Sequence, residues 1–220
     1  MSIDSKVRIA RRAAMELKDG WVVNLGVGIP TLVANYLPAG RRIFFQSENG
    51  ILGVGPSPSP EEVDPDIINA GRQPVTIIPG GSFFDSAVSF GMIRGGHLDA
   101  TIIGALEVSE RGDIANWILP GKDVLGMGGA MDLVVGARKV IVATQHVAKG
   151  GKPKILPECS LPITAPAAAH MIITEYAVFS FKDGRMVLEE IAPDITLSEL
   201  KKITPANYEV SAELRLMEVC

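Results

Sequence analysis

The chain has 220 residues, 47% of them apolar and 21% charged, with a net charge of −4. That size suits one domain whose core needs no staple, and so apolar a chain at so low a net charge is not a disordered one. The acidic balance argues against nucleic acid as a partner, no unbroken apolar run reaches the ~18 residues of a membrane span, and residues 1–20, charged throughout, lack the apolar stretch of a signal peptide, so a cytoplasmic protein is expected.

In chain order, Val7, Ala10, Ala14 and Leu17 recur at helical spacing, which predicts a helix over 6–18 stopped by Gly20. Residues 21–25 read as a buried strand, 26–30 as a tight turn, and Pro30 is placed to start a helix over 31–36. A strand over 43–46 runs straight into Ser47-Glu48-Asn49-Gly50. Residues 53–65, a mixture of Pro, Ser, Gly and acids, read as a loop that is either functional or mobile. A strand follows over 75–78. Ser82-x-x-Asp85 then has the form of a capping box for a helix that ends at Gly95-Gly96. Residues 100–103 form the next strand. The Gly-rich stretch 113–132 turns into a helix near 131–135, and a strand covers 139–143. The last third reads as strands at 178–181, 186–188 and from 209 onward, with one short helix capped by Thr196-x-x-Glu199. No repeat, charge block or linker interrupts the chain. The alternation predicts an α/β fold over 1–220: a three-layer α/β/α open sheet, mostly parallel, with a mixed C-terminal part.

In such a sheet, ligands gather where loops leave the carboxyl ends of strands. Segments 24–28, 47–50 and 126–132 occupy that position. Gly26-x-Gly28 is a partial dinucleotide fingerprint, since Glu48 stands twenty residues beyond Gly28, but position 31 is Thr where the third glycine belongs. Glu48 has two readings. One is a solvated turn whose neighbours Ser47 and Asn49 satisfy local backbone; the other is a carboxylate held in a dry cleft, able to attack a carbonyl. The glycines at 126–129 likewise form either a flexible surface loop or a helix start whose N–H groups support an oxyanion at close approach.

Two cysteines, Cys159 and Cys220, and three histidines, His97, His146 and His170, show no ligand or catalytic spacing, so no metal is expected. His97 reads as a cap on helix-end carbonyls, Cys159 as a structural thiol, Trp117 as core, and Arg72 as an anion binder or a surface charge. The apolar surplus reads as either a large core or a surface buried against another polypeptide.

Phe45-Gln-Ser47-Glu48-Asn49-Gly50-Ile-Leu-Gly-Val-Gly55-Pro56 closely resembles the glutamate active-site signature of family I CoA-transferases. The segments VNLGVGIPTLVANYLP, INAGRQPVTIIPGGSFFDSAVSF, MIRGGHLDATIIGALEVSERGDIANWILPGK and GMGGAMDLVVGARKVIV are similar to the B-type half of 3-oxoacid CoA-transferases, so the resemblance runs from about Val7 to Val210. It implies a double displacement through an acyl anhydride and then a glutamyl-CoA thioester on Glu48, with Gly129 supporting the oxyanion. It further implies substrate or CoA contacts for Asn24, Gly26, Gly28, Asn49, Gly50, Arg72 and Gly128; Arg72 stands where many relatives carry lysine, which keeps charge but changes donor geometry. No permanently bound cofactor is implied, only a coenzyme A thioester as substrate. Because only the B-type half is present, the A-type CoA-transferase polypeptide is expected as partner, in an A2B2 heterotetramer. The GKDVLGMGG segment is nearer the succinyl-CoA:acetoacetate branch than the 3-oxoadipate branch. The B-type half of a 3-oxoadipate or other short-chain acid CoA-transferase, or a non-catalytic ligand-binding domain of the same fold, stands as the alternative.

Overall fold

The computed structural model describes residues 4–118, 121 and 126–218. The first helix, α1 (Ser5–Ala14), begins where the Asp4 carboxylate accepts the backbone N–H groups of Lys6 and Val7, a stabilising N-cap. It is shorter than its apolar pattern suggests. Met15, Glu16 and Leu17 bond three residues back rather than four, a tightened last turn that still buries Leu17 completely. Strand β1 (Val22–Leu25) follows, then α2 (Ile29–Leu32), with Pro30 in its first turn. The expected helix over 31–36 is thus a four-residue α-turn that tightens into a 3₁₀ turn over Val33–Tyr36.

Strands β2 (Phe44–Ser47) and β3 (Ile51–Val54) form an antiparallel hairpin, and β4 (Ile77–Phe83) adds antiparallel to β3. Helix α3 (Ser86–Arg94) is capped by Asp85, whose carboxylate accepts the Val88 N–H. Ser82 instead lies inside β4, so the expected Ser82-x-x-Asp85 capping box does not form. The end of α3 is as read, with Gly96 left-handed at φ 71° and the N–H groups of Gly96 and His97 returning to the carbonyls of Ile93 and Met92, the double bond of a glycine-terminated helix. His97 therefore serves this terminus through its backbone.

The chain continues through β5 (Ala100–Ile103), β6 (Glu107–Ser109), β7 (Ile114–Ala115), α4 (Ala130–Gly136), β8 (Val140–Ala143) and β9 (Ile155–Leu156). It finishes with β10 (Met171–Ile173), β11 (Ala177–Lys182), β12 (Arg185–Ile191), α5 (Leu197–Ile203) and β13 (Glu209–Leu216). The Thr196–Glu199 capping box of α5 forms as read.

The main sheet has the order β13-β12-β11-β10-β8-β5-β1-β2-β3-β4. Its five middle strands, β10 to β2, are parallel. Antiparallel pairing flanks them on both sides: at the C-terminal part, as expected, and also at β2-β3-β4. The second flank arises because only three residues separate β2 from β3, too few for a crossover.

Alternate residues of the middle strands feed two cores. Ile102, Ile141, Ala143 and Ile173 pack beneath α1, where Ile9, Ala10, Ala13 and Ala14 are fully buried. Ile103, Val140, Val142 and Ile172 face the other way, toward Val134 of α4, Leu200 of α5 and the small sheet β7-β6-β9. Each such side chain contributes roughly 1.5–3 kcal/mol by leaving water, and the result is helices on both faces of one sheet. No described helix is long and apolar enough to cross a membrane.

Candidate active site

The strand order reverses between β1 and β5, since β2 lies on one side of β1 while β5 and β8 extend on the other. In an open sheet that reversal parts the loops and leaves a crevice at the carboxyl ends. A cavity of about 460 Å³ lies there, lined by Gly26 and Val27 after β1, Gly104 and Ala105 after β5, Thr144 after β8, and by Glu48 and Gly129. Its floor is tight at Gly26, whose N–H donates to the Ile102 carbonyl at 2.8 Å; a Cβ there would stand 3.3 Å from that same oxygen.

Glu48 enters this cavity from the apex of the β2-β3 hairpin. Ser47 pairs with Ile51 across the turn, and Gly50, at φ 118°, donates its N–H to the Ser47 carbonyl at 3.0 Å. The Gly50 carbonyl in turn accepts the Phe84 N–H at 3.0 Å. Two side chains fasten the turn to the following loop. Ser47 Oγ accepts the Ala70 N–H at 2.9 Å, and Asn49 Nδ2 donates to the Ile68 carbonyl at 2.8 Å. With its backbone so fixed, the half-buried Glu48 presents Oε2 to Asn24 Nδ2, which donates at 3.1 Å from a fully buried position on β1. Gly129, the N-cap of α4, closes the opposite side. A Cβ built on it would lie 3.8 Å from Glu48 Cγ, an ordinary contact, and 3.0 Å from the Phe90 ring, so a larger residue would press on Phe90 first. Among the described residues lining the cavity, Glu48 is the only ionisable side chain.

The model of the coenzyme A transferase family matches residues 6–202. The chain belongs to that family. It is 56% identical over 212 residues to the beta chain of the acetate CoA-transferase of Escherichia coli K12, covering 96% of this chain and 97% of that one. It is 51% identical over 208 residues to the B-type polypeptide of a probable succinyl-CoA:3-ketoacid coenzyme A transferase of Bacillus subtilis, covering 94% and 96%. The fold is similar to that of the acyl-CoA transferase YdiF of Escherichia coli O157:H7 in a thioester complex with CoA, with a TM-score of 0.77 at 23% identity. That match covers 99% of this chain but only 44% of YdiF, so this chain spans less than half of the longer one.

Of the residues singled out in the sequence of this CoA-transferase chain, the fold brings Asn24, Gly26, Glu48 and Gly129 together. Others stand apart. Gly28, at φ 98°, caps α2 and gives its carbonyl to Thr31 Oγ1 at 2.7 Å. Asn49 and Gly50 build the hairpin, and Gly128 is an exposed left-handed residue beside Gly129. Arg72 is exposed, at φ 61° in a turn whose N–H returns to the Asn69 carbonyl, and it is absent from the residues lining the cavity. Residues 122–125 of the GKDVLGMGG segment and Cys220 lie outside the described residues. A helix of only four residues follows β1, a short support for the pyrophosphate that the Gly26-x-Gly28 fingerprint would require.

Burial pushes the Cys159 thiol up to about 12, aided by Asp113 and Glu107, so at neutral pH it is a protonated group donating to the Asp113 carbonyl rather than a nucleophile. His146 is fully buried between the Thr174 and Thr204 hydroxyls, at 3.0 and 2.8 Å, and desolvation lowers it to about 4. His170 Nδ1 accepts the Val140 N–H. Among the described residues no group of three His, Cys, Asp or Glu side chains could hold a metal ion.

Sequence reasoning passed over Gln46. Its Oε1 accepts from Asn24 Nδ2 at 2.7 Å, and its Nε2 donates to Ser89 Oγ on α3 at 2.8 Å. One signal was present: a lone amide in an apolar strand, directly before Ser47-Glu48.

Proposed function

We propose that this chain is the B-type half of a 3-oxoacid CoA-transferase, exchanging coenzyme A between an acyl-CoA, succinyl-CoA above all, and a short 3-oxoacid such as acetoacetate. Glu48 is the covalent carrier. Its carboxylate attacks the thioester carbonyl, the C–S bond breaks, and CoA leaves as a thiolate with an acyl–glutamyl anhydride behind it. The thiolate then attacks the glutamyl carbonyl, releasing the first acid as its carboxylate and leaving a glutamyl-CoA thioester. The acceptor carboxylate attacks that thioester and the same two steps run in reverse. Every nucleophile and leaving group is an anion, so no proton changes hands overall and no general base is needed. The observation that carries this reading is that Glu48 is the sole ionisable side chain among the described residues lining the cavity and is aimed by a buried amide.

A carboxylate in water is a poor nucleophile because it is strongly solvated. In the cavity, whose lining includes the apolar Ile103, Leu106 and Leu133, an acyl-CoA displaces that water as it binds, and one directed N–H from Asn24 holds the carboxylate without quenching it. Backbone N–H groups about Gly129 supply support for the developing oxyanion. Binding energy from the long, unreactive part of CoA is available to drive the reacting carbonyl onto Glu48.

The relatives, named as parts of larger enzymes, imply a second polypeptide, and an A2B2 assembly places it against the apolar surface. Val135 is 71% exposed, Val88 50% and Met131 47%, and all three sit on α3 and α4, the helices that carry Phe90 and follow Gly129. One observation favours a second acceptor, acetate, since the 56% identical relative is part of an acetate CoA-transferase.

The test uses the chain assembled with its A-type partner. After incubation with acetoacetyl-CoA, mass spectrometry should find CoA on the peptide bearing Glu48, in a bond cleaved by hydroxylamine or borohydride. Glu48→Ala should abolish both label and exchange, and an acceptor screen separates 3-oxoacids from acetate. Full exchange by Glu48→Ala would sink the mechanism.

A further inference from the structure

Asn24 can serve Glu48 only if its amide is turned the right way, and Asn24 cannot settle that alone. Its Oδ1 is buried and without a hydrogen-bond partner among the described residues, so nothing on the carbonyl side fixes the orientation. The amide nitrogen has two protons. One goes to Glu48 Oε2 at 3.1 Å; the other has Gln46 Oε1 at 2.7 Å, with the Gln46 backbone carbonyl further off at 3.2 Å. If the amide were flipped, Asn24 Oδ1 would face two acceptor oxygens, Gln46 Oε1 and Glu48 Oε2, and the pairs would repel.

The direction of the whole chain follows by elimination. A carboxylate only accepts, so Asn24 must present nitrogen to it. Gln46 must therefore present oxygen to Asn24 and nitrogen to whatever lies beyond. What lies beyond is Ser89 Oγ, at 2.8 Å, in the middle of α3. Ser89 is fully buried and Gln46 is 3% exposed, so neither can exchange its partner for water, and a half-broken network would be costly. The register explains the spacing. Asn24 and Gln46 are Cα partners on adjacent parallel strands, and both side chains rise from the same sheet face, the one that carries α3.

We infer that Gln46, anchored by Ser89, is a positioning residue that sets the amide orientation of Asn24 and through it the aim of the Glu48 carboxylate. This rests on the reading of Glu48 as the attacking group. Gln46 is not among the residues lining the Glu48 cavity, although it borders a separate cavity of about 420 Å³, so its route to Glu48 runs through Asn24 and its effect is expected on the turnover step. Helix α3 thereby becomes part of the apparatus that orients the carboxylate, although its hydrogen bond to Gln46 comes through a single serine hydroxyl.

The experiment is a double-mutant cycle in the assembled enzyme, with Asn24→Ala, Gln46→Met and the two combined, alongside Ser89→Ala and Glu48→Ala. Methionine keeps Gln46's length and volume while removing both hydrogen bonds. Expected are a kcat about tenfold lower for Gln46→Met, the order of one lost directed hydrogen bond, an unchanged KM for acyl-CoA, and a loss of about threefold for Ser89→Ala. The double variant should be no slower than Asn24→Ala alone, because once Asn24 is gone Gln46 has nothing to orient. Multiplying losses, or a Gln46→Met enzyme with wild-type kcat, would overturn the inference. If Gln46→Met does not fold, the same cycle runs on Ser89→Ala and Asn24→Ala. Glu48→Ala keeps the two claims separate: its retained activity refutes the carrier, whereas its inactivity together with an additive cycle refutes only the positioning role.

Discussion

Replacing Gly50 by alanine joins fold and function in one measurable step. Gly50 lies at φ 118°, and a Cβ built on it would sit 2.0 Å from the Phe84 carbonyl oxygen. The conformation alone costs an L-residue about 1–2 kcal/mol, and relieving the overlap by moving backbone adds about 1–3 kcal/mol. Together these give roughly 3 kcal/mol, which for a chain of this size lowers Tm by about 6–12 °C. The backbone that must move is either the β2-β3 turn or the segment leading into α3, and the turn carries Glu48. A displacement near 1 Å at a reacting group costs on the order of a hundredfold in rate. The assay is therefore paired: a thermal melt and the CoA exchange rate of the assembled enzyme, both for Gly50→Ala. If that variant melted within about 2 °C of the wild type and kept its kcat, the hairpin would not be the rigid mount described.

Two further outcomes test the scaffold. Arg12 is 6% exposed and makes paired bonds of 2.7 and 2.8 Å to Glu190 on β12, with a third to Glu16. Arg12→Ala leaves the Glu190 carboxylate buried with only the 3.5 Å contact to Arg215, so urea unfolding should show a loss of about 3 kcal/mol, largely restored when Arg12 and Glu190 are both changed to Met. His146 stays neutral in the folded chain down to about pH 4 but takes a proton below its usual 6.5 once unfolded. Its contribution is thus fully present above pH 6.5 and is lost as pH falls toward 4, by about 2 kcal/mol between pH 7 and 5. Glu175, raised by burial, works in the opposite sense, so the measurement compares wild type with His146→Gln, whose urea midpoint should depend less steeply on pH over that range.

The parts of this fold that announced themselves did so through long regular patterns or strong local chemistry. The middle strands are apolar runs, Thr196 and Glu199 form their capping box, and Gly95-Gly96 ends α3 in the way a left-handed glycine can. β4 was legible only at its start, in the strand expected over 75–78, because it continues through Pro79, Gly80 and Gly81, residues that break a central strand but are tolerated at a sheet edge, and β4 is the last strand of its sheet. Strands of two or three residues, such as β7 and β9, are too short to show a period. At the site, the residue string around Glu48 was readable because its chemistry is contiguous. The tie from Gln46 to Ser89 spans 43 positions, and no spacing rule joins a strand amide to a serine inside a later helix. Arg72 shows the converse: a charge that a resemblance marks for substrate lies outside the cavity this chain forms by itself.

The bond between Arg12 and Glu190 joins residues 178 positions apart, whereas the apolar face of α1 shares its core with the early 3₁₀ turn, β1 and β2 as well as with the late strands β8 and β10. At a translation rate of roughly 5–20 residues per second, α1 waits on the order of 10–35 s after leaving the ribosome before its ionic partner exists. During that interval Ile9, Ala10, Ala13 and Ala14 have only the earlier part of their core to cover them, without Ile141, Ala143 and Ile173 of the late strands. The helix made first is therefore among the last pieces to complete its docking, and the nascent polypeptide carries a half-covered amphipathic segment for chaperones to shield through most of its synthesis.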